Sequence, residues 1–502
     1  MIERLYMLGY KRRALVVLFI LLVTVFSGAG MLGLKVDTSI DSLIPASDPS
    51  RLVYQKVMGE FGTDNKTIIY IREPELWTPE KLAGIEELHF AIEKIEGVSR
   101  VDSLFSLHTV KGEGKKIYSR PLLFAPPKTK HEALEAKNRA LENPLYQGTY
   151  FSDDGEVTAL IVSVVDSEDN NKFSRNIHLA IEEQIQAYRD IFEYIAQVGP
   201  PRINVELKQS LYEDFVLLGP LSVLVLVASI LIFMRSWLSA VVPLVTSLLT
   251  IIWTFGLMGW LGIPLNILSA MLPSLIIAIG STEDTHMISA FLRGLEENPN
   301  GNSRMEAAKY MAKHIGLPMM LTVFTTTLGF ASNLFSNVIL IQNFSFAATF
   351  AMLANGFITI LIMPLMLSIF GPEEANSVGE NFKRNSIPDQ IMSLFRYSQV
   401  RFPISILVFT GGLCAFFIFQ ASKLYVTNDP LSYFQSDRPL IKDAKRIHED
   451  LAGIKIFFIS LESKKGKAFQ DPKNIQKLVE IQTFLSQQGV YDRSISLADH
   501  LL

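Results

Sequence analysis

Ile279-Gly280-Ser281-Thr282-Glu283-Asp284-Thr285-His286-Met287-Ile288-Ser289-Ala290-Phe291-Leu292 decides how this chain is read. Apart from Glu283 and Asp284, residues 236 to 292 contain no Asp, Glu, Lys or Arg. An acid inside a membrane-spanning helix is costly, so it marks a functional site unless it sits at the helix end among the headgroups. The next formal charge is Arg293, and at ~1.5 Å per helical residue the acids lie roughly 13 Å inside it. That distance favours a buried pair over an interfacial one. Carboxyls in a low-dielectric bundle can load and release a proton, and a second acid beside the first couples the two titrations.

The surrounding sequence is that of a polytopic membrane protein. The chain has 502 residues, 49% of them hydrophobic, and is too long for one compact domain. Charge-free stretches at Ala14–Leu34, Phe215–Met234, Trp237–Trp260, Leu265–Thr282, Leu317–Val338, Phe344–Phe370 and Phe402–Ser422 approach or exceed the roughly 20 residues that cross a bilayer. Gly259, Gly262 and Pro264 divide the long run before the acids into two helices. Arg4, Lys11, Arg12, Arg13 and Arg235 lie on one side of this ladder, together with Arg293, Arg304, Lys309, Lys313, Lys383, Arg384, Arg396 and Arg401. The positive-inside rule makes that side, with the N-terminus, cytoplasmic. Span one is too long for a cleaved signal peptide, although Ser27-Gly28-Ala29-Gly30 is a weak cleavage site. The single cysteine, Cys414, falls in span seven, so the exterior parts hold no disulfide. A net charge of −4 without a basic stripe gives no reason to expect a nucleic-acid partner.

Between the spans the pattern changes. Lys66–Arg72 and Val98–Leu104 read as strands around a helix at Pro79–Glu96. Lys111–Lys130 reads as a loop and His131–Leu141 as a helix. The strand Val157–Val165, the helix Arg175–Gln197 and the strand Ile203–Leu207 follow. Two strand–helix–strand units in succession give the split βαβ, ferredoxin-like order. The chain then repeats itself. Leu34-Lys35-Val36, Asp48-Pro49, Phe61-Gly62 and Gly97-Val98 have counterparts in Leu424-Tyr425-Val426, Arg438-Pro439, Leu451-Ala452-Gly453 and Gly489-Val490, the third of these ahead of an expected strand at Ile456–Leu461. The offset is roughly 390 residues, and internal repeats of this kind are a transporter feature.

The expected fold is a polytopic α-helical membrane protein with exterior α+β, ferredoxin-like domains, internally duplicated with the second copy incomplete. Its parts are a cytoplasmic N-terminus (1–13), a first span (14–34), an exterior α+β domain (35–213), a five-helix block (214–370), a cytoplasmic linker (371–401), a seventh span (402–422) and a partial second exterior domain (423–502). The second copy reaches only the equivalent of Val110, so the chain is expected to be about two-thirds of a duplicated architecture. Ser303–Ile315 reads as a basic amphipathic helix on the cytoplasmic membrane surface, or else as a plain connector.

Several local sequences carry a resemblance. They are Asp37-Thr38-Ser39-Ile40-Asp41-Ser42-Leu43-Ile44-Pro45 after span one, Glu96-Gly97-Val98-Ser99-Arg100-Val101-Asp102-Ser103, and Trp253-Thr254-Phe255-Gly256 with Gly262-Ile263-Pro264-Leu265-Asn266. To these are added Ile279-Gly280 through His286 and Thr325-Thr326-Thr327-Leu328-Gly329-Phe330. In order and spacing the chain resembles the resistance–nodulation–division superfamily, in its MMPL/Patched-like branch, whose five-helix block is similar to a sterol-sensing domain. The resemblance implies an exporter of hydrophobic or lipid-like substrates, driven by protons, in a bacterial or archaeal inner membrane. In that branch an Asp-Tyr pair commonly follows the span-four glycine, with Asp-Asp in others. Aligning on Gly280 and His286 puts Thr282 where the aspartate is expected and Glu283 where the tyrosine is. A one-residue shift turns a side chain by ~100° on a helix, so which acid faces inward is open.

The relay candidates are therefore Glu283, Asp284, His286 and Thr282, with His286 within touching distance of Glu283 and Thr282 along the helix. Thr325, Thr326 and Asn333 in span five and Asn355 in span six are candidate partners across the bundle, although such residues commonly serve only to bond their own backbone or glue helices. No second His or Cys stands at ligand spacing, so no metal is expected. No nucleophile–base set or phosphate loop suggests an enzyme or a cofactor. Expected partners are protons, a lipid-like small molecule, the membrane, and either a second copy or a periplasmic protein. Two other readings stand beside export: a non-transporting lipid sensor or scaffold, and a proton-driven accessory subunit of protein export.

Overall fold

A computed structural model describes residues 2–37, 48–113, 116–141, 145–165, 170–234, 237–297, 303–372, 387–425, 429–455, 457–463, 466 and 468–501. Thr38 to Pro45 of the motif after span one, Arg235, Lys383, Arg384, Val426 and Ile456 lie outside the described residues. The chain divides into two compact units, a helical one (Met1–Ala46 and Ser210–Asn428) and an α/β one (Ser47–Gln209 and Asp429–Leu502).

The helical unit begins with α1 (Ile2–Lys11) and α2 (Arg13–Met31). The α/β unit follows with α3 (Pro49–Phe61), β1 (Lys66–Arg72), α4 (Pro79–Glu93), β2 (Val98–Asp102), β3 (His108–Glu113), β4 (Lys116–Pro121), α5 (Lys130–Leu141), β5 (Val157–Val164), α6 (Asn170–Gln186) and β6 (Tyr194–Val198). Four strands form one antiparallel sheet in the order β2-β5-β1-β6, with Ile69 opposite both Leu160 and Gln197. This is the ferredoxin-like order. The central strands β1 and β5 are buried along nearly their whole length, which is why both read as continuous apolar runs. On one face Ile69, Ile71, Leu160 and Val162 meet Leu82, Ile85, Leu88 and Ile92 of α4 and Ile177, Ile181 and Ile185 of α6.

Three readings of this region are corrected. The last strand is Tyr194–Val198, and the residues read as strand Ile203–Leu207 open α7 (Pro200–Met234). Pro200 and Pro201 supply the fixed φ of a first helical turn, and this outweighs the β-branched residues after them. The loop read at Lys111–Lys130 contains most of the β3–β4 hairpin. Residues 457 to 461 form no strand. A strand needs partner backbone groups, and among the described residues no strand pairs with this segment.

In the helical unit α7 is followed by α8 (Trp237–Leu261), α9 (Leu272–Glu297), α10 (Ser303–His314), α11 (Gly316–Ser332), α12 (Ile339–Phe370), α13 (Ile387–Arg401) and α14 (Pro403–Ala421). Among the described residues five helices are long and apolar enough to cross a membrane, and a sixth if α10 and α11, bent by 48°, count together. The expected fourth span falls within α9 and its preceding turn, and α9 is absent from that set because it carries the acids and His286 well inside its length. Gly30, Gly256 and Gly259 let α2 and α8 touch backbone to backbone: a Cβ on Gly256 would strike Ser27, and one on Gly259 the Gly30 carbonyl.

The surface reading of Ser303–Ile315 is also corrected. Ala307, Ala308, Met311 and Ala312 of α10 are buried with Met287, Phe291 and Leu295 of α9. Small residues allow this approach, since Gly294 has room only for a hydrogen against Ala307. Beyond α14 the α/β unit resumes with α15 (Pro439–Asp450) and α16 (Pro472–Gln487). Each starts on a proline, as α3 and α4 do, which matches the repeat seen in the sequence. α15 covers the other face of the first sheet, with Leu440, Ala444 and Ile447 against Ile68, Tyr70, Val157 and Ala159.

Candidate functional site

α8, α9 and α12 pack on one another, and each contributes polar side chains to the centre of the contact. Adjacent acids on one helix diverge by ~100° and so reach different neighbours. Glu283 accepts a hydrogen bond from Asn355 Nδ2 on α12 at 3.1 Å. Asp284 accepts one from Thr359 Oγ1 of α12 at 2.9 Å and meets Thr246 Oγ1 of α8 at 2.5 Å. Asn355 Oδ1 lies 3.4 Å from Thr250 Oγ1, whose single hydrogen is also within reach of the Thr246 carbonyl at 2.8 Å. Asp284, Thr246, Thr250 and Thr359 are fully buried, and Glu283 keeps 7% of its surface.

Helical spacing builds this cluster. Thr246 and Thr250 stand one turn apart on α8, and Asn355 and Thr359 one turn apart on α12, so each pair lies on one face. Gly280, one turn before Asp284, makes room for Asn355: a Cβ there would come within 2.6 Å of Asn355 Oδ1. No Lys, Arg or His pairs with either acid among the described residues. The acids are thus held by neutral donors alone.

Of the residues singled out from the sequence, Glu283, Asp284 and Asn355 come together. Thr282 points outward and donates to the Ala278 carbonyl of its own helix at 3.0 Å. His286 is exposed. Thr325 is exposed and bonds the Leu321 and Thr322 carbonyls, Thr326 is half-buried on α11, and Asn333 is exposed at the end of that helix. None of the three reaches the acids. Sequence reasoning passed over Thr246, Thr250 and Thr359. The available signal was the recurrence of Thr246, Thr250 and Thr254 at four-residue spacing along one span.

The MMPL family profile matches residues 45–399, which is most of the chain and includes all three helices of the cluster. The chain belongs to the MMPL family. This is a family of membrane transporters. Two relatives are similar to this MMPL chain in sequence. The membrane protein MJ1562 of Methanocaldococcus jannaschii is 26% identical over 330 residues, 63% of this chain and 80% of its own length. Protein patched homolog 1 of Caenorhabditis elegans is 24% identical over 202 residues, 38% of this chain and 14% of its own length.

Proposed function

We propose that this MMPL protein is a proton-driven exporter of hydrophobic or lipid-like molecules, in which Glu283 and Asp284 take up and release the driving proton. One observation carries the reading: two buried carboxyls touch hydroxyl and amide donors and, among the described residues, no cation. Burying a charge without a partner is costly, so such a pair is kept for a use that needs its charge to change.

The hydroxyl bookkeeping supplies a mechanism. Thr246 has one hydrogen, and three acceptors are within reach: Asp284 Oδ2 at 2.5 Å, the Pro243 carbonyl at 3.0 Å and the Val242 carbonyl at 3.3 Å. With Asp284 ionised, Thr246 donates to it and ties α8 to α9. With Asp284 protonated, the carboxyl donates to Thr246, which returns its own hydrogen to α8. One proton therefore reverses a bond between two packed helices. Glu283, through Asn355 and Thr250, connects the same pair of helices by α12.

On this reading α9 crosses the inner membrane of a bacterium or archaeon, with the N-terminus cytoplasmic and the α/β unit outside. The lipid-like substrate is the reading that accords with the family. The test is proton flux in proteoliposomes under an imposed pH gradient. Flux present in the native chain and lost in Glu283→Gln/Asp284→Asn supports the pump. Flux unchanged by the double substitution would overturn it in favour of a lipid sensor or scaffold.

A further inference from the structure

An apolar cluster to which the first helix contributes begins one turn past the acids on α9. Met287, one turn past Asp284, lies in it with Ile288 and Phe291 of α9, Met319 of α11 and Met363 of α12. Tyr6 and Met7 of α1 complete it, at 0% and 5% exposure. Two contacts hold α1 there. Gly9 sits against the Leu361 carbonyl so closely that no Cβ fits, and Leu361 is two residues past Thr359, which binds Asp284. The Tyr6 hydroxyl lies 3.3 Å from the Gly316 carbonyl and 3.2 Å from Met319 Sδ, at the bend between α10 and α11. Burial first, and Glu283 second, push that hydroxyl above its ordinary range.

We propose that α1 is a removable seal: docked, it keeps water on the cytoplasmic side from Glu283 and Asp284, and its undocking opens that side. The seal can leave because it is short. α1 has 10 residues, a length at which a helix draws most of its stability from packing. Among the described residues its anchoring hydroxyl has only a long carbonyl contact and a thioether, which is a weak acceptor. A pump needs such a part, because a site open to both sides at once leaks. This inference rests on the acid pair being the proton site, but its geometry can be tested without proton movement.

The experiment is labelling by a membrane-impermeant methanethiosulfonate added from the cytoplasmic side to the full chain in vesicles. The exposed Cys414 is first replaced by Ser, leaving no other thiol. Met287→Cys reports the cluster beneath the acids, and Met7→Cys reports α1. With native α1 both stay protected. Adding Gly9→Leu, which drives α1 off the Leu361 carbonyl, is expected to raise labelling at both positions severalfold. Deletion of residues 2–10 gives the same increase at Met287→Cys if Gly9→Leu leaves α1 in place. Protection of Met287→Cys in the deleted chain overturns the seal, as does equal labelling with α1 docked. A failure of the proton reading shows separately, as proton flux that Glu283→Gln/Asp284→Asn does not change.

Discussion

Arg202→Met is expected to release α15 from the first sheet, and the structure sets the size of the effect. Arg202, in the first turn of α7, donates from Nη1 to Asp443 Oδ2 on α15 and to the Gln197 carbonyl, each at 2.7 Å, and from Nε to Glu206 at 2.7 Å. Asp443 is 5% exposed and has one further partner, the Tyr194 hydroxyl at 2.5 Å. Removing Arg202 strands a buried carboxylate with a single neutral donor, a loss of about 3–5 kcal/mol. Asp443→Asn is much milder, about 1 kcal/mol, because Arg202 keeps Glu206 and the amide keeps a hydrogen bond. The cost falls on the docking of α15, so its amides should exchange with deuterium faster in Arg202→Met by roughly a hundredfold to a few thousandfold, at 1.4 kcal/mol per decade. Asp443→Asn should accelerate them by less than about tenfold, and β1 should stay protected in both. Equal acceleration by the two substitutions, or none by Arg202→Met, would refute the asymmetry.

Burial holds the imidazoles of His89 and His178 below their ordinary value, with nearby acids opposing it only in part. Their neutral form is favoured on folding, so this stability is complete above about pH 6.5 and is lost as the pH falls through and below that value. Thermal unfolding of the α/β unit should therefore start at lower temperature at acid pH, and His89→Gln should reduce that dependence. Gly256→Leu should separate α2 from α8 and lower the yield of folded chain in detergent, since its Cβ would meet the Ser27 backbone. Gly280→Ala should weaken proton flux without loss of insertion, because the added methyl displaces Asn355 from Glu283. Thr246→Val should impair flux strongly, while Thr325→Ala, Asn333→Ala and His286→Ala leave it near the native rate. An effect of Asn333→Ala as large as that of Thr246→Val would contradict the assignment of partners.

The sheet was legible because β1, with Thr67-Ile68-Ile69-Tyr70-Ile71, and β5 carry the apolar residues of a strand buried on both faces. β6 was not, because Tyr194–Val198 is short and follows directly on helical sequence. Its end is marked by Gly199, where a side chain would meet Thr67. Glu283 and Asp284 stood out as the only formal charges in a long apolar run. Their partners did not, since a threonine in a membrane helix usually bonds its own backbone. Thr246 and Thr250 do that as well as reaching across the bundle, so the pattern alone could not separate the two roles. Thr282 was favoured by alignment on Gly280 and His286, and the helix turns it away from the partners it would need. α10 was misread for a similar reason: Ala307, Ala308 and Ala312 look bland in sequence and matter only when Gly294 is opposite.

Whether Glu283 and Asp284 exchange protons can be read by infrared difference spectroscopy of the reconstituted chain between acid and alkaline pH, at the protonated-carboxyl stretch. If these acids carry the proton, a band titrates reversibly in the native chain, weakens in Glu283→Gln and in Asp284→Asn, and disappears in the double variant. A band unchanged in the double variant would mean that these acids exchange no proton and that the driving proton, if any, passes elsewhere.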